Sequence, residues 1–212
     1  MSRSAAIAII DYGMGNLSSV HNAFDALDCP STIAAQPAQL REAAGIVLPG
    51  VGAFGDGMRN LRERGFIEEL EKQVRDGGKP FLGLCLGLQL LATRGFEHGE
   101  NAGLNWIPGV VERLQLPPGL RVPHIGWNDV RFVKKDLLYT GLGEMHAFYF
   151  VHSFAFRPDD PRVVSGVCEY GGEFVASIEF ENISATQFHP EKSHQHGLSV
   201  LRNWARKVAA PC

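Results

Sequence analysis

Short apolar runs alternate with stretches of helical periodicity as far as about residue 95, and this alternation constrains the fold more than any other feature. Apolar runs without polar alternation are typical of strands that are buried on both faces of a parallel sheet. Such runs occupy residues 5–10, 45–49 and 79–85, and a shorter strand is predicted at 31–34. Strands that alternate with helices predict a parallel sheet covered by helices on both faces. We therefore expect an α/β fold.

The segments between these strands have helical spacing and predict the covering helices. The first runs from Leu17 to Leu27 and is closed by Pro30. The later ones are expected near residues 39–43, as one or two helices over 57–76, directly after the third apolar run at 86–94, and finally at 197–208.

The sequence pattern changes beyond about residue 105. Short β-rich runs separated by glycine and proline follow one another, at residues 109–116, 129–133, 146–156, 162–170, 173–180 and 182–188. This pattern predicts an antiparallel or mixed extension of the sheet in the C-terminal half. Because no internal repeat, low-complexity tract or linker interrupts the chain, we expect one domain over residues 1–212.

Composition argues against several kinds of partner. The formal net charge is −3 with no basic patch, so nucleic acid is not an expected partner. No apolar stretch approaches the ~20 residues of a membrane span, and the N-terminal apolar run is too short for a signal sequence. No cysteine belongs to a CxxC pair, which disfavours zinc and redox sites. A cytoplasmic protein is the resulting expectation.

The strongest local signal is the sequence Gly-Leu-Cys-Leu-Gly at 83–87, placed between an apolar strand and a helix. It has the form of a nucleophile elbow with cysteine in place of serine. The turn is sharp, so the positions that flank it must be small. It would put Cys85 at a helix start, where free N–H groups favour a thiolate and the Leu86 N–H can meet an oxyanion. A buried structural cysteine is the alternative.

A cysteine nucleophile needs a base, and the base needs an orienting group. His189 follows a buried run and precedes Pro190 and Glu191, so the carboxylate two residues on can reach the imidazole. A histidine in a surface loop is the alternative. A metal cluster of His189, His194 and His196 is disfavoured because no zinc spacing fits. We therefore expect no metal and no cofactor.

The stretch Gly-Val-Gly-Ala-Phe-Gly at 50–55 formally matches G-x-G-x-x-G. A dinucleotide site would require an acid at the end of the next strand, but that position falls in a charged helical stretch. A P-loop would require Gly-Lys-Ser/Thr, which is missing. The loop is better interpreted as a donor of backbone N–H groups to an oxyanion or carboxylate, with a plain turn as the alternative.

Three motifs in a fixed order resemble the class I (triad) glutamine amidotransferases: LPGVG, FLGLCLGLQLL and QFHPE. The resemblance implies a flavodoxin-like α/β fold and a Cys-His-Glu triad that hydrolyses glutamine. By position, Cys85 would be the nucleophile, His189 the base and Glu191 its orienting group. The residues implied for the oxyanion and the substrate are Gly50, Val51, Gly52, Leu86 and Gln89.

Four further segments resemble the glutaminase subunits of imidazole glycerol phosphate synthases. They are IIDYGMGNLSSV, PHIGWN, FYFVHSF and QFHPEKS. In that family the glutaminase docks on a (β/α)₈-barrel cyclase, and ammonia passes to a phosphoribosyl substrate. The products are imidazole glycerol phosphate and an aminoimidazole carboxamide ribotide. Candidates for the docking face are Asn16, Trp127, Asn128 and Lys192, although Trp127 also fits a core or lid position and Lys192 an ordinary solvated charge.

Two other functions remain open at this stage. The first is a glutaminase that feeds another synthase, for example in surface-sugar amidination. The second is a binding module that keeps the fold without catalysis, which an intact Cys85, His189 and Glu191 argues against. All catalytic interpretations require folding to bring the Cys85 sulfur close to the His189 imidazole.

Overall fold

The computed structural model describes residues 6–208. Its strands are, in chain order, β1 (Ile7–Ile10), β2 (Ser31–Ala34), β3 (Gly45–Gly50), β4 (Phe81–Cys85), β5 (Arg94–Gly95), β6 (Asn101–Ala102), β7 (Gly109–Arg113), β8 (His124–Phe132), β9 (Met145–His152), β10 (Phe154–Pro158), β11 (Val164–Glu169), β12 (Glu173–Phe180) and β13 (Ile183–Thr186). The α-helices are α1 (Leu17–Asp25), α2 (Phe54–Glu63), α3 (Phe66–Leu70), α4 (Leu86–Gln89) and α5 (His194–Ala205). Short 3₁₀ turns occur at Pro37–Leu40, Pro161–Val163 and Pro190–Lys192, and a π-helical turn extends α3 over Glu71–Asp76.

The main sheet has nine strands in the order β2-β1-β3-β4-β13-β12-β11-β8-β9. The first five are mutually parallel, and the remaining pairings are antiparallel. The parallel half repeats the 2-1-3-4-5 strand order of flavodoxin-like folds. The predicted α/β fold, with a parallel core and an antiparallel extension in the C-terminal half, is confirmed.

Both faces of the parallel strands are buried, which explains their continuous apolar sequences. Side chains alternate along a strand, so Ile7 and Ile9 pack on one face with Phe24 of α1. On the other face, Ile10 packs with Leu61 of α2. The two hydrophobic cores therefore lie on opposite sides of one sheet, with α1 and α5 over one core and α2 to α4 over the other.

One predicted helix is much shorter than its periodicity suggests. The apolar spacing at 86–94 predicts a helix, but α4 ends at Gln89. The carbonyls of Leu90, Leu91 and Ala92 accept hydrogen bonds from backbone N–H groups of residues 104–107 and not from the next helical turn. The chain then enters β5, which belongs to a second sheet of order β10-β7-β5-β6. This second sheet has no signal in the sequence pattern, because β5 and β6 are only two residues long.

Other observed boundaries differ from the predicted ones by a few residues. The strand expected at 5–10 is β1, with Ala5 outside the described residues, and the helix expected at 197–208 is α5. The helix expected near 39–43 is a 3₁₀ turn at Pro37–Leu40. No helix between residues 6 and 208 is both long and apolar enough to cross a membrane. A single domain over residues 1–212 stays a prediction.

Candidate active site

The carboxyl ends of three adjacent parallel strands bring the predicted site residues to one edge of the sheet. Gly50 ends β3, Cys85 ends β4, and the two residues are direct pairing partners. On the other side of β4 lies β13, whose chain continues through Gln187 to His189. In open α/β sheets, ligands bind in the crevice outside these strand ends.

Cys85 occupies a strained turn of the kind that the G-x-C-x-G pattern predicts. Its φ and ψ are 53° and −103°, a conformation that residues with a side chain rarely adopt. A Cβ on Gly83 would lie 2.7 Å from the Gly87 carbonyl oxygen, and one on Gly87 would lie 1.9 Å from the Leu48 carbonyl oxygen. Only glycine fits on either side of the cysteine, because the backbone of the elbow touches neighbouring backbone.

The Cys85 thiol is free and lines a cavity of about 540 Å³. Its sulfur accepts a hydrogen bond from Nε2 of Gln187 at 3.6 Å, and the thiol can donate to the Val151 carbonyl oxygen at 3.9 Å. The residue as a whole is only 6% exposed, so the sulfur is reached through this cavity.

His189 and Glu191 form a buried pair beside the elbow. Nδ1 of His189 lies 2.8 Å from Oε1 of Glu191, and their side chains are 4% and 3% exposed. The backbone around the histidine is held as well, because its N–H donates to the Tyr149 carbonyl oxygen and its carbonyl accepts from the Ser193 hydroxyl. Ser193 in turn accepts from the Tyr149 N–H at 3.0 Å. Strand β9 thus fixes the position of the imidazole.

The charge state of His189 depends on its two neighbours. Burial lowers the pKa of His189, but interactions with Cys85 and Glu191 outweigh burial and raise it to about 10. Because Nδ1 faces the carboxylate, Nε2 is the atom available to the sulfur, and it has no hydrogen-bond partner within residues 6–208. The geometry therefore favours an imidazolium at neutral pH, placed between a carboxylate and a sulfur.

The loop after β3 forms one wall of the cavity. Val51 and Gly52 line it, and the Val51 side chain is 41% exposed. Gly52 has φ +101°, and a Cβ on Gly50 would lie 2.1 Å from the Tyr12 hydroxyl oxygen. Gly52 is thus required by its backbone conformation, and Gly50 by the close approach of Tyr12. Leu86, whose N–H follows the sulfur-bearing residue, begins α4.

The remaining walls come from three other segments. Gln89 lies in α4, and its Nε2 donates to the carbonyl oxygen of Phe154 at 2.9 Å. Residues 151–154 form a second wall. Glu97 and His98 form a third, and the Glu97 carboxylate accepts a hydrogen bond from the Phe54 N–H at the start of α2.

Of the four residues predicted for a docking face, Trp127 and Lys192 lie near the segment that follows His189. Asn16 caps α1, its side chain accepting from the Ser19 N–H at 3.2 Å. The ring of Trp127 stacks on His194 with centroids 5.0 Å apart, and the Lys192 amine lies over the Tyr149 ring. A second cavity, of about 400 Å³, lies here and is lined by residues of α1 together with Glu191, Lys192 and the start of α5.

Asn128 differs from these three because its carboxamide faces inward. Its Nδ2 donates to the Glu169 carbonyl oxygen at 2.9 Å and lies 3.4 Å from Nε2 of His124. His124 and His152 form a buried pair, with Nδ1 of the first 3.0 Å from Nε2 of the second. Both histidines and Gln187 lie within the motifs PHIGWN, FYFVHSF and QFHPE, but those motifs by themselves predict no role for them. The polar residues at buried positions of β8, β9 and the segment after β13 were the signal that was available.

His189, His194 and His196 do not form a metal centre. In the part of the chain that the structure describes, no group of three or more His, Cys, Asp and Glu side chains is arranged to hold a metal ion. The ring of His196 stacks on His146, and that of His194 stacks on Trp127, so both serve packing.

Comparison with known sequences agrees with this geometry. Residues 8–208 match the family model described as "Glutamine amidotransferase class-I". The chain is 48% identical over 202 residues to "Imidazole glycerol phosphate synthase subunit HisH" of Moorella thermoacetica, with 95% of each chain covered. It is also 48% identical to the protein of the same name from Aquifex aeolicus, covering 94% of this chain and 96% of that one.

Solved structures show the same fold at lower sequence identity. A structure described as "Crystal structure of glutamine amidotransferase" superimposes with a TM-score of 0.76 at 19% identity, covering 97% of this chain and all of the other. A chain of PurLQS from Thermotoga maritima superimposes with a TM-score of 0.74 at 20% identity, covering 96% and 99% of the two chains.

Proposed function

Because the chain belongs to the class-I glutamine amidotransferases and, within them, to the HisH subunits of imidazole glycerol phosphate synthase, we propose that it hydrolyses glutamine and delivers the ammonia to a cyclase subunit. The observation that carries the catalytic part is the free thiol of Cys85 at the end of β4, facing a cavity beside the buried His189–Glu191 pair. The reaction is glutamine plus water to glutamate plus ammonia.

In the first half of the reaction, the Cys85 thiolate attacks the side-chain carbonyl carbon of glutamine. The C–N bond then breaks, and the imidazolium of His189 gives its proton to the departing nitrogen, which leaves as ammonia. The raised pKa of His189 suits this step, since the proton is already in place at neutral pH. The product is a thioester on Cys85 and a neutral imidazole.

In the second half, the neutral His189 takes a proton from water as the water oxygen attacks the thioester. The C–S bond breaks, the thiolate returns, and glutamate leaves. Glu191 accepts a hydrogen bond from Nδ1 throughout, which holds the ring in one tautomer and stabilises its charged form. Each turnover therefore returns both catalytic groups to their starting charge.

The oxyanion that forms in each half needs N–H donors. We assign this role to the Leu86 N–H and to the backbone of Gly50, Val51 and Gly52, which lies beside the sulfur at the end of the paired strand. One such donor is typically worth about 3–4 kcal/mol of barrier. The conformation of this loop can thus switch the glutaminase on or off.

The cavity also suits the rest of the substrate. Gln89 lies in its wall and is assigned to hold the glutamine, and the nearby Glu97 carboxylate offers a negative charge for the α-ammonium group.

The partner is the cyclase subunit, and the docking face is assigned to the surface around Asn16, Trp127 and Lys192. This surface carries the second cavity, whose lining includes Glu191, whereas the first cavity reaches Cys85. The catalytic pair therefore lies between the glutamine cavity and the proposed docking face. Direct docking would keep ammonia from being protonated in bulk water. We place the complex in the cytoplasm.

The assignment is tested by mixing the purified chain with the cyclase subunit of histidine biosynthesis and its nucleotide substrate, and then measuring glutamate release. We expect glutamate release to rise when both are present. No stimulation would contradict the partner and would favour a glutaminase of another synthase, such as one in surface-sugar amidination.

The Cys85→Ala variant is the matched control for the catalytic part. It should lose glutamine-dependent synthesis completely, while synthesis by the partner from added ammonium salt continues. Loss of both activities would indicate that Cys85 has a structural role.

A further inference from the structure

A run of buried hydrogen bonds leads away from the nucleophile into the body of the protein. Nε2 of Gln187 donates to the Cys85 sulfur at 3.6 Å. Oε1 of the same Gln187 accepts from Nε2 of Gln89 at 3.0 Å. Nε2 of Gln89 also donates to the carbonyl oxygen of Phe154 at 2.9 Å. Both glutamine residues are buried.

The direction of these bonds follows from the chemistry of the groups. A backbone carbonyl only accepts, so Gln89 must present its NH₂ to Phe154, and the second hydrogen of that NH₂ goes to Gln187. Gln187 must then present its oxygen to Gln89 and its NH₂ to Cys85. The carbonyl of Phe154, at the start of β10, therefore orients the Gln187 amide so that its NH₂ group faces the Cys85 sulfur.

The same carbonyl is held from its other side by the histidine pair. Nδ1 of His152 lies 2.9 Å from the Phe154 oxygen and must carry a hydrogen to pair with it. Nε2 of His152 is then the acceptor for the Nδ1–H of His124. Burial lowers the pKa of both rings to about 4, so both are neutral near pH 7 and this arrangement of protons is maintained.

We propose that Gln187 is a positioning residue for the reaction at Cys85: its side-chain N–H holds the sulfur as a thiolate, and Gln89 locks the amide in that donating orientation. The inference deepens the proposed glutaminase function and rests on it. A thiolate accepts a hydrogen bond where a thiol would donate one, so a fixed N–H donor favours the ionised sulfur. The carbonyl oxygen of Val151 can only accept a hydrogen bond, so it can pair only with the protonated thiol.

Glu97, His98 and His152 line the same cavity as this sulfur, and two further titratable groups interact with it and must be separated from Gln187. His189 interacts with it directly, and the buried hydroxyl of Tyr12 is close enough for the charge of Cys85 to raise the pKa of Tyr12, after the larger effect of its own burial. Neither group is bonded to Gln187, so substitution of Gln187 leaves both in place.

The experiment is the pH dependence of alkylation of Cys85 by iodoacetamide in the full-length chain, followed by mass spectrometry of the Cys85 peptide. Gln187→Met keeps the length of the side chain but removes the donor. We expect the midpoint of its rate–pH curve to rise by about one unit, so that alkylation at pH values below the wild-type midpoint is about tenfold slower, with an unchanged plateau at high pH. An unshifted midpoint, with or without a lower plateau, would overturn the proposal.

Gln187→Glu provides a second variant that keeps the shape and the acceptor for Gln89. It replaces the donor with a group of like charge, so its midpoint should rise at least as far. Ser184→Ala is the matched control, because Ser184 is a buried polar residue of β13 whose hydroxyl has no partner within the described chain. Its curve should superimpose on that of the wild type, and a shift as large as that of Gln187→Met would contradict a specific role for Gln187.

The orienting effect of Gln89 on the Gln187 amide is tested with Gln89→Met alone and combined with Gln187→Met. Gln89→Met should shift the midpoint in the same direction but less, and the double variant should match Gln187→Met, because Gln89 acts through Gln187. Midpoint shifts that add in the double variant would contradict the orienting effect of Gln89 on Gln187. Alkylation requires neither glutamine nor the partner, so the positioning role and the proposed glutaminase function can fail separately. Normal glutamate release by the wild-type complex, together with an unshifted midpoint in Gln187→Met, would overturn the positioning role alone.

Discussion

The imidazole of His189 and the carboxylate of Glu191 lie 2.8 Å apart, and both side chains are almost completely withdrawn from solvent. Only Pro190 separates the two residues in the sequence, and it starts a 3₁₀ turn that brings the carboxylate back to the ring. A buried carboxylate in this position stabilises a charged imidazole strongly, since little solvent screens the pair.

Glu191→Gln should lower kcat for glutamine hydrolysis by about 10³- to 10⁴-fold, because the hydrogen bond to Nδ1 can remain while the charge that supports the imidazolium is lost. The measurement is glutamate release by the complex at saturating glutamine. Glu173→Gln, on the exposed side of β12, serves as the control and should retain full activity. A Glu191→Gln enzyme within threefold of the wild type would rule out the orienting role.

The His189 ring should respond to removal of the sulfur. In the wild type it should stay protonated up to about pH 10, since Cys85 and Glu191 together outweigh burial. In Cys85→Ala the pKa of His189 should fall, because one of the two raising partners is gone and the effect of burial remains. Side-chain nitrogen NMR of the histidines between pH 5 and 11 measures this directly. Equal pKa values in the two proteins would show that Cys85 does not act on the ring.

The elbow should not tolerate a methyl group at its second glycine. Gly87→Ala would place a Cβ 1.9 Å from the Leu48 carbonyl oxygen, and neither backbone can give way. We expect the free energy of unfolding in urea to fall by about 3 kcal/mol. Gly172→Ala is the control, since its Cβ would meet nothing within 4 Å and should change stability by less than about 0.5 kcal/mol. Equal stability of the two variants would contradict the close approach.

The buried histidine pair should make the fold sensitive to acid. The pKa values of His124 and His152 are lowered to about 4 by burial, whereas unfolded histidine titrates near pH 6.5. Between these values the unfolded chain binds more protons, so stability falls as pH drops from about 6.5 to about 4, by up to about 3 kcal/mol for one ring. Above pH 6.5 the pair is neutral in both states and contributes no slope.

The slope can be assigned with two variants and urea unfolding at several pH values. His124→Phe removes one titrating ring but keeps an aromatic ring against Tyr170, so the loss of stability between pH 6.5 and 4 should become shallower. Phe150→Leu weakens packing on His124 without removing a titrating group and should lower stability by a similar amount at every pH. A His124→Phe slope equal to that of the wild type would mean that the acid sensitivity arises elsewhere.

Much of the parallel half of the fold could be predicted because its information is local. Apolar runs mark β1, β3 and β4, and their strand ends place the Cys85 elbow and the loop at Gly50 at one edge of the sheet. The glycines of the elbow could also be predicted, since a sharp turn excludes a Cβ regardless of what surrounds it. The helix expected at 86–94 is too long because its apolar spacing reflects burial, and the carbonyls of residues 90–92 bond to residues 104–107 instead of continuing α4.

The amino-acid sequence by itself predicted the parallel strands, the turn at Cys85 and the candidate residues Cys85, His189 and Glu191, because periodicity, glycine at turns and residue type are properties of neighbouring positions. Only the tertiary structure decided the contact of Gln187 with Cys85 and the pairing of His124 with His152, because these bonds join residues 102 and 28 positions apart. Their direction depends on the single carbonyl of Phe154. No local pattern encodes these contacts, because they exist only once segments that are distant in the sequence have packed side by side.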